Sequence, residues 1–257
     1  MTINVFLTGA SSGIGVALAH EFHRRGAFLG LAARRADALA DLGARLQGRC
    51  RTYAVDVTDR DRLIEAALDF ERGCGGTDIV IANAGIGVGV QTEHREDLEV
   101  FDRVLETNLT GVVNTFHPFI APMRARRRGI LAAISSVAGV RGLPGSEAYS
   151  PSKAAVTNYC ESLRLGLHGS GVRVVTIAPG FIRTPMTAAN PYPMPFLMDA
   201  EAFARRAADA IQGGARYRVI PWQMAIVAGL LRALPGWALD RLLARRPRKP
   251  RSVGQPR

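Results

Sequence analysis

The sequence predicts an α/β protein: one doubly wound parallel sheet with helices on both faces, folded as a single domain. Three observations predict it. Short β-branched or apolar runs alternate with longer stretches of helical periodicity, the pattern of repeated βαβ units. The first of these runs ends in a glycine-rich turn that opens a helix. No internal repeat or low-complexity linker interrupts the alternation before a basic C-terminal tail.

The strands are expected at 3–7, 28–32, 52–55, 78–82, 129–135 and 172–178. Leu18 and Phe22 mark a helix after the first, and Leu63, Ala66, Ala67 and Phe70 mark one after the third. Crossovers between parallel neighbours should be right-handed. Beyond the sixth strand the regularity breaks. Residues 185–198 hold Pro185, Pro191, Pro193 and Pro195, which forbid a regular helix and read as an apolar substrate loop. A helix over 199–212, a short strand over 216–220 and an amphipathic stretch from 222 follow. The single domain is thus expected over 1–240, with 241–257 a disordered basic tail.

Composition excludes several classes. Apolar residues make up 47% of the 257 and charged residues 21%, which is ordinary for a globular domain and too apolar for disorder. Cys50, Cys74 and Cys160 are scattered, with no metal-ligand spacing, so no metal site or disulfide framework is expected and a reducing, cytoplasmic setting is. The N-terminus lacks the basic lead and apolar core of an export signal. The longest late uncharged run, 219–231, falls short of the roughly 20 residues that span a bilayer. Net charge is +11, but seven basic side chains and no acid stand in 241–257. The basicity belongs mostly to the tail and does not make the body a nucleic-acid binder. Of the 33 basic residues only Lys153 and Lys249 are lysine, which makes an interior lysine noticeable.

The turn after the first strand reads Thr8-Gly9-Ala10-Ser11-Ser12-Gly13-Ile14-Gly15. Glycines let the backbone approach a pyrophosphate, and the helix start offers unpaired N–H groups and partial positive charge. The second strand ends at Arg34 and Arg35, where an acid would instead hydrogen-bond a ribose 2′-hydroxyl. Arginine there can pair with a 2′-phosphate, so NADP(H) is favoured over NAD(H). Asp56 and Val57 end the third strand and suit an adenine edge; Asp56 can equally cap the helix after Thr58.

Tyr149 and Lys153 stand at i and i+4 on one helix face. An ammonium beside a phenol lowers the phenol pKa and makes it a general acid/base for a carbonyl–alcohol couple. Lysine in a chain that otherwise uses arginine sharpens this reading, because the two are not interchangeable. Ser136, at the end of the fifth strand, can donate to a substrate oxygen or satisfy a nearby backbone group. Asn108 breaks a long helical pattern, as a satisfied buried amide or as the anchor of a proton relay.

This set of residues resembles the short-chain dehydrogenase/reductase family, in its single-domain branch of Rossmann type. Gly9, Gly13, Ile14 and Gly15 match its cofactor turn, with Ser11 and Ser12 between them. Asn83-Ala84-Gly85 matches a sheet-stabilising motif, and Asn108, Ser136, Tyr149 and Lys153 match a catalytic tetrad. Pro179-Gly180-Phe181-Ile182-Arg183-Thr184 matches the segment that holds the nicotinamide carboxamide, assigning Pro179, Gly180, Ile182 and Thr184 to the cofactor. Coverage runs from about 3 to 186. The resemblance departs at Ala82, where a second asparagine is common, and at Ser12, where NADP-preferring members often carry a basic residue.

The resemblance implies that Tyr149 transfers the proton while hydride moves to or from the nicotinamide. Ser136 would orient the oxygen, Lys153 would lower the tyrosine pKa and hold the ribose, and Asn108 would position a water toward Lys153. A homo-oligomer is also implied. The function expected is an NADP(H)-dependent oxidoreductase of carbonyl or alcohol substrates. The alternative is a non-catalytic NADP(H)-binding regulator on the same fold, which has no need of Tyr149 and Lys153. A sugar-nucleotide epimerase expects a larger C-terminal domain. Val88, Val137, Leu143, Phe181, Met186, Tyr192, Met194 and Phe196 are candidates for the substrate pocket, and no basic residue stands obviously placed for a carboxylate. From Trp222 on, apolar residues at helical spacing and a basic end suit either packing over that pocket or a subunit interface, or peripheral contact with an anionic membrane.

Overall fold

The computed structural model describes residues 2–188, 190–244 and 247–251. Seven strands form one parallel sheet: β1 (Asn4–Thr8), β2 (Phe28–Ala33), β3 (Cys50–Ala54), β4 (Ile79–Ala82), β5 (Gly129–Ile134), β6 (Val172–Pro179) and, at the far edge, β9 (Tyr217–Ile220). Their order is β3-β2-β1-β4-β5-β6-β9. The direction of winding reverses between β1 and β4, which pair in parallel from Val5↔Ile79 to Leu7↔Ile81. Such a reversal leaves a crevice at the carboxyl ends of the strands, where ligands of this architecture bind.

Alternation within each strand supplies two cores. Val5 and Leu7 of β1, with Ile79 and Ile81 of β4, face α1 (Gly13–Arg24), α2 (Ala36–Arg45) and α8 (Ala200–Gln212). Phe6, Val80 and Ala82 face the other way, against α3 (Arg60–Cys74), α5 (Gly111–Ala125) and α6 (Tyr149–Gly166). Strands buried on both faces read as continuous apolar runs, which is why they were legible.

Helix ends follow local chemistry. Asp59 caps α3 by accepting from Arg62 N at 3.2 Å, and Gly75 closes it at φ 71°. Asp56 is therefore not the cap. Its carboxylate accepts from Thr58 N at 3.0 Å and lies 3.6 Å from Arg34. Between α4 (Glu96–Leu105) and α5 one wide π-type turn spans Glu106–Thr110. It accounts for the break in the helical pattern at Asn108.

The proline-rich loop is clasped at its base. Two-residue strands β7 (Ile182–Arg183) and β8 (Met198–Asp199) pair in parallel, and Arg183 Nε donates to Asp199 Oδ1 at 2.9 Å. A four-residue helix, α7 (Pro185–Ala188), starts the loop. At the C-terminus α9 (Gln223–Ala233) and α10 (Gly236–Leu243) follow β9. The basic tail departs from the expectation of disorder in both of its described stretches. Residues 241–243 complete α10, and 247–251 lie against the body, with Gly89 N donating to Pro250 O at 2.9 Å. Backbone pairing and an arginine–carboxylate fork hold a segment whose composition alone reads as solvated. Residues 245–246 and 252–257 lie outside the described ones. Among the described residues, no helix is long and apolar enough to cross a membrane.

Candidate active site

The glycine turn is held from the side by β4. Asn83 Nδ2 donates to the carbonyls of Thr8 and Gly9 at 3.1 and 3.2 Å. Thr8 Oγ1 in return accepts from Asn83 N at 3.2 Å. The bracing leaves no room for side chains: a Cβ on Gly15 would lie 2.0 Å from Gly9 O, and Gly9 itself sits at φ +67°. Ser12 precedes α1 without capping it, so the first N–H groups of that helix face the crevice with no side chain bonded to them.

A groove of about 350 Å³ runs from this turn across the sheet edge. Gly9, Ser11, Ser12, Gly13, Ile14 and Gly15 line one end with Arg34, Arg35, Asp56 and Val57. Asn83, Ala84 and Gly85 line its middle, and Tyr149, Lys153, Pro179, Gly180, Ile182 and Thr184 its far end. Arg35 is fastened to the turn, donating to Ser11 O at 2.9 Å and Ser11 Oγ at 3.2 Å. A cradle of glycines and a helix start fits the pyrophosphate of a nicotinamide dinucleotide.

Three of the four tetrad residues line the groove: Ser136, Tyr149 and Lys153. Asn108 lies behind them, with no exposed surface. Its Oδ1 accepts from Ile86 N at 2.8 Å, and its Nδ2 donates to Ile86 O and Ser152 Oγ, both at 3.0 Å. It is a satisfied buried amide that fixes the loop after β4. Gly85 separates it from Lys153: a Cβ there would lie 3.2 Å from Asn108 Oδ1 and 3.4 Å from Lys153 Nζ. Ser136 Oγ accepts from Ala138 N at 3.1 Å, which leaves its hydrogen free to donate.

Lys153 is almost fully buried, and its Nζ donates to Ile134 O at 2.9 Å. Burial pulls its pKa down to about 8. The expected lowering of the Tyr149 pKa is not found in the chain alone. Burial pushes the phenol up, and the Ser136 hydroxyl only partly opposes this. The physical reason is placement: Lys153 Nζ points at β5 and lies 5.9 Å from the centre of the Tyr149 ring.

A second cavity, of about 700 Å³, opens on the other side of Tyr149 and Ser136. Val137, Leu143, Phe181, Met186 and Tyr192 line it as expected. Val88 instead packs with Val90 and Val100, Phe196 is half exposed, and Met194 lies off the cavity wall. Met224, Val227, Ala228 and Leu231 of α9 close the cavity, so one face of the C-terminal amphipathic stretch does pack over the pocket. Trp222, Ile226, Leu230 and Trp237 remain exposed.

The model of the short chain dehydrogenase family matches residues 4–193. The chain belongs to the short-chain dehydrogenase/reductase family. It is an oxidoreductase of that family, similar to an uncharacterized oxidoreductase of Myxococcus xanthus, 39% identical over 91% of this chain and 93% of the relative. A sulfoacetaldehyde reductase of Chromohalobacter salexigens is 36% identical over 73% and 75% of the two chains. The crystal structure of a short chain dehydrogenase from Burkholderia cenocepacia in complex with NADP superposes with a TM-score of 0.82. That structure is 25% identical, over 96% of this chain and 98% of its own.

In this short-chain dehydrogenase/reductase, sequence reasoning missed the residues that hold the tetrad in place. Ser135 Oγ donates to Lys153 O at 2.9 Å, and Ser152 Oγ to Tyr149 O at 2.8 Å. A serine beside a functional residue carries no periodic signal. Lys249 was also missed as a site residue, although its rarity stood out: it lines the apolar cavity and is 9% exposed. A basic residue does line the apolar cavity there, because the tail returns over the site.

Proposed function

We propose that the protein is an NADP(H)-dependent reductase or dehydrogenase acting on an apolar carbonyl or alcohol. One observation carries the reading: Tyr149 and Ser136 stand on the boundary between the glycine-turn groove and the apolar cavity. A group that transfers a proton between a substrate in one cavity and chemistry in the other has to stand there. A non-catalytic binder gains nothing from a phenol and a hydroxyl at that junction.

The bound dinucleotide would supply the hydride. The Gly9–Gly15 turn and the start of α1 would hold its pyrophosphate, and Arg34 and Arg35 its 2′-phosphate. Ser136, its oxygen already oriented by Ala138 N, donates toward the substrate oxygen. Tyr149 keeps its proton at neutral pH, because burial raises its pKa, and gives it to that oxygen in the reducing direction. Lys153 is pinned to β5 through its Nζ and through Ser135, which keeps the ammonium 5.9 Å from the centre of the Tyr149 ring. Asn108 holds Ile86 and so shapes the wall opposite.

The test follows NADPH and NADH oxidation over a panel of medium-chain ketones and aldehydes. NADPH oxidation that depends on the carbonyl and is lost in Tyr149→Phe is the expected result. Carbonyl-dependent turnover that survives Tyr149→Phe overturns it.

A further inference from the structure

The C-terminal segment 247–251 forms a strap across the mouth of the apolar cavity. Its backbone is seated on both sides. Gly89 N donates to Pro250 O at 2.9 Å, and Lys249 N donates to Pro144 O at 3.5 Å. A Cβ on Gly89 would lie 2.3 Å from Lys249 O, and one on Gly145 2.7 Å from Lys249 N. Only glycine admits the strap at these two points. Arg251 fastens its end: Nε donates to Asp97 Oδ2 at 2.8 Å, and Nη2 to Asp97 Oδ1 at 3.0 Å and Glu96 Oε1 at 2.8 Å. Asp97 has no exposed surface, so this fork is a built attachment rather than a surface pairing.

Seated this way, the strap turns Lys249 inward. Its Nζ lies 4.7 Å from the centre of the Tyr149 ring, within the range of a cation–π contact. A Cβ placed on Gly87 would meet three atoms at once: Lys249 Nζ at 2.9 Å, Met186 Sδ at 3.0 Å and Tyr149 Cε2 at 3.4 Å. The ammonium therefore stands where the two cavities join. Among the described residues, no carboxylate pairs with it. The other cation on the cavity wall, Arg141, is engaged elsewhere, donating to the carbonyls of Arg232 and Leu234 at 3.4 and 3.3 Å. Burial draws the Lys249 pKa down to about 8, which leaves it largely charged at neutral pH.

A buried ammonium without an anion is costly unless something pairs with it. Here the surrounding cavity is apolar and adjoins the reacting phenol. We propose that Lys249 is a specificity-determining residue whose ammonium pairs with a carboxylate on the substrate, close to the reacting carbonyl. The substrate class is then an apolar oxo acid or hydroxy acid, its carboxylate held by the strap and its hydrocarbon part lying against Val137, Phe181, Val227 and Leu231. This inference rests on the proposed reading of the apolar cavity as the substrate site.

Unreactive probes separate it from the chemistry. Binding of decanoate and of methyl decanoate to the full-length chain is measured by calorimetry at pH 7, in wild type and in Lys249→Met. Wild type is expected to bind decanoate at least about tenfold more tightly than the ester, and Lys249→Met to lose that discrimination. Lys249→Gln serves the same purpose if the methionine variant does not fold. Equal binding of acid and ester by wild type, or discrimination that survives both substitutions, overturns the proposal. NADPH-dependent reduction of neutral ketones with no discrimination between the probes leaves the reductase reading intact and overturns this one. Discrimination between the probes without carbonyl-dependent turnover supports this one alone.

Discussion

Arg35 reaches back across the sheet edge to Ser11, donating to its backbone carbonyl at 2.9 Å and to its hydroxyl at 3.2 Å. A guanidinium from the end of β2 is thereby stationed over the glycine turn after β1. Arg34 stands beside it, largely exposed and 3.6 Å from Asp56. That pairing is long and solvated, so an arriving phosphate can displace the carboxylate.

Cofactor choice should follow from these two arginines. NADPH is expected to bind at least about tenfold more tightly than NADH, a difference of about 1.4 kcal/mol. Arg34→Asp should narrow or reverse the preference, and added salt should weaken NADPH binding more than NADH binding. Fluorescence titration with both dinucleotides measures this. Equal affinities in the wild type would refute the assignment.

The proton-transfer residues predict a pH profile with a definite sign. Tyr149 has its pKa raised by burial, so the acid form needed for reduction persists through neutral pH. Lys153, drawn down to about 8, loses its charge above that value. The kcat/KM for carbonyl reduction should be level near neutrality and fall on the alkaline side from about pH 8. In Lys153→Arg the rate drops, but the alkaline limb moves to higher pH because arginine stays charged. Tyr149→Phe should cost about 10²–10⁴-fold in turnover while NADPH still binds. A reduction rate that climbs steadily to pH 10 is incompatible with this scheme.

Glu21 sets an acid limit on stability. It is nearly buried in α1, where Arg24 donates to it at 2.7 and 2.9 Å and Arg25 at 2.7 Å. Arg25 also reaches Asp209 of α8 at 2.7 Å, so the cluster joins two helices. Hydrogen bonding from Arg24, reinforced by Arg25 and opposed by burial, holds the Glu21 pKa at about 2 against an ordinary 4.5. A depressed carboxylate stabilises the fold above its unfolded pKa, and that contribution fades as pH falls through the folded value. Glu21→Gln should therefore lower the Tm at pH 7 and flatten its pH dependence between about 4.5 and 2. Parallel melts of the two proteins across that window decide the matter; identical slopes would remove Glu21 from the account.

The outer face of the C-terminal helices makes a prediction of its own. Trp222 and Ile226 of the α9 region, with Trp237 of α10, stay exposed while the other face seals the cavity. In a chain of net charge +11, such a row suits the interface of an anionic membrane. Flotation with anionic liposomes at low salt should recover the protein, neutral liposomes should not, and a Trp222→Ser, Trp237→Ser variant should lose the binding. Recovery that is absent at low salt would leave this row to a second copy of the chain, which light scattering would detect.

Most of the fold was legible because its signals are local. The inner strands β1, β2, β4, β5 and β6 are buried on both faces and so read as apolar stretches, and the glycine turn must be glycine where a Cβ would strike Gly9 O. The tetrad was legible through residue type and order. Its electrostatics were not: the spacing of Tyr149 and Lys153 suggested a depressed phenol pKa, yet the Lys153 ammonium is bonded to Ile134 O. The direction in which a flexible side chain points is settled by neighbours distant in the chain. The supporting hydroxyls of Ser135 and Ser152 were invisible for the same reason.

What this sequence determined by itself is the sheet, the placing of the glycine turn and the tetrad at one edge, and the family to which they belong. Each depends on patterns within a few residues, where apolar periodicity and glycine sterics act directly. Only the tertiary structure decided the substrate side. The second cavity is assembled from the loop after β6, from α9 and from the strap, which sequence separates and packing unites. The strap in particular reads as a charged tail because its composition is that of a solvated segment. It is drawn over the site by one buried carboxylate, Asp97, and two glycines whose missing side chains make room for it. These contacts span about 105 to 160 residues of chain, a range over which no local pattern carries information.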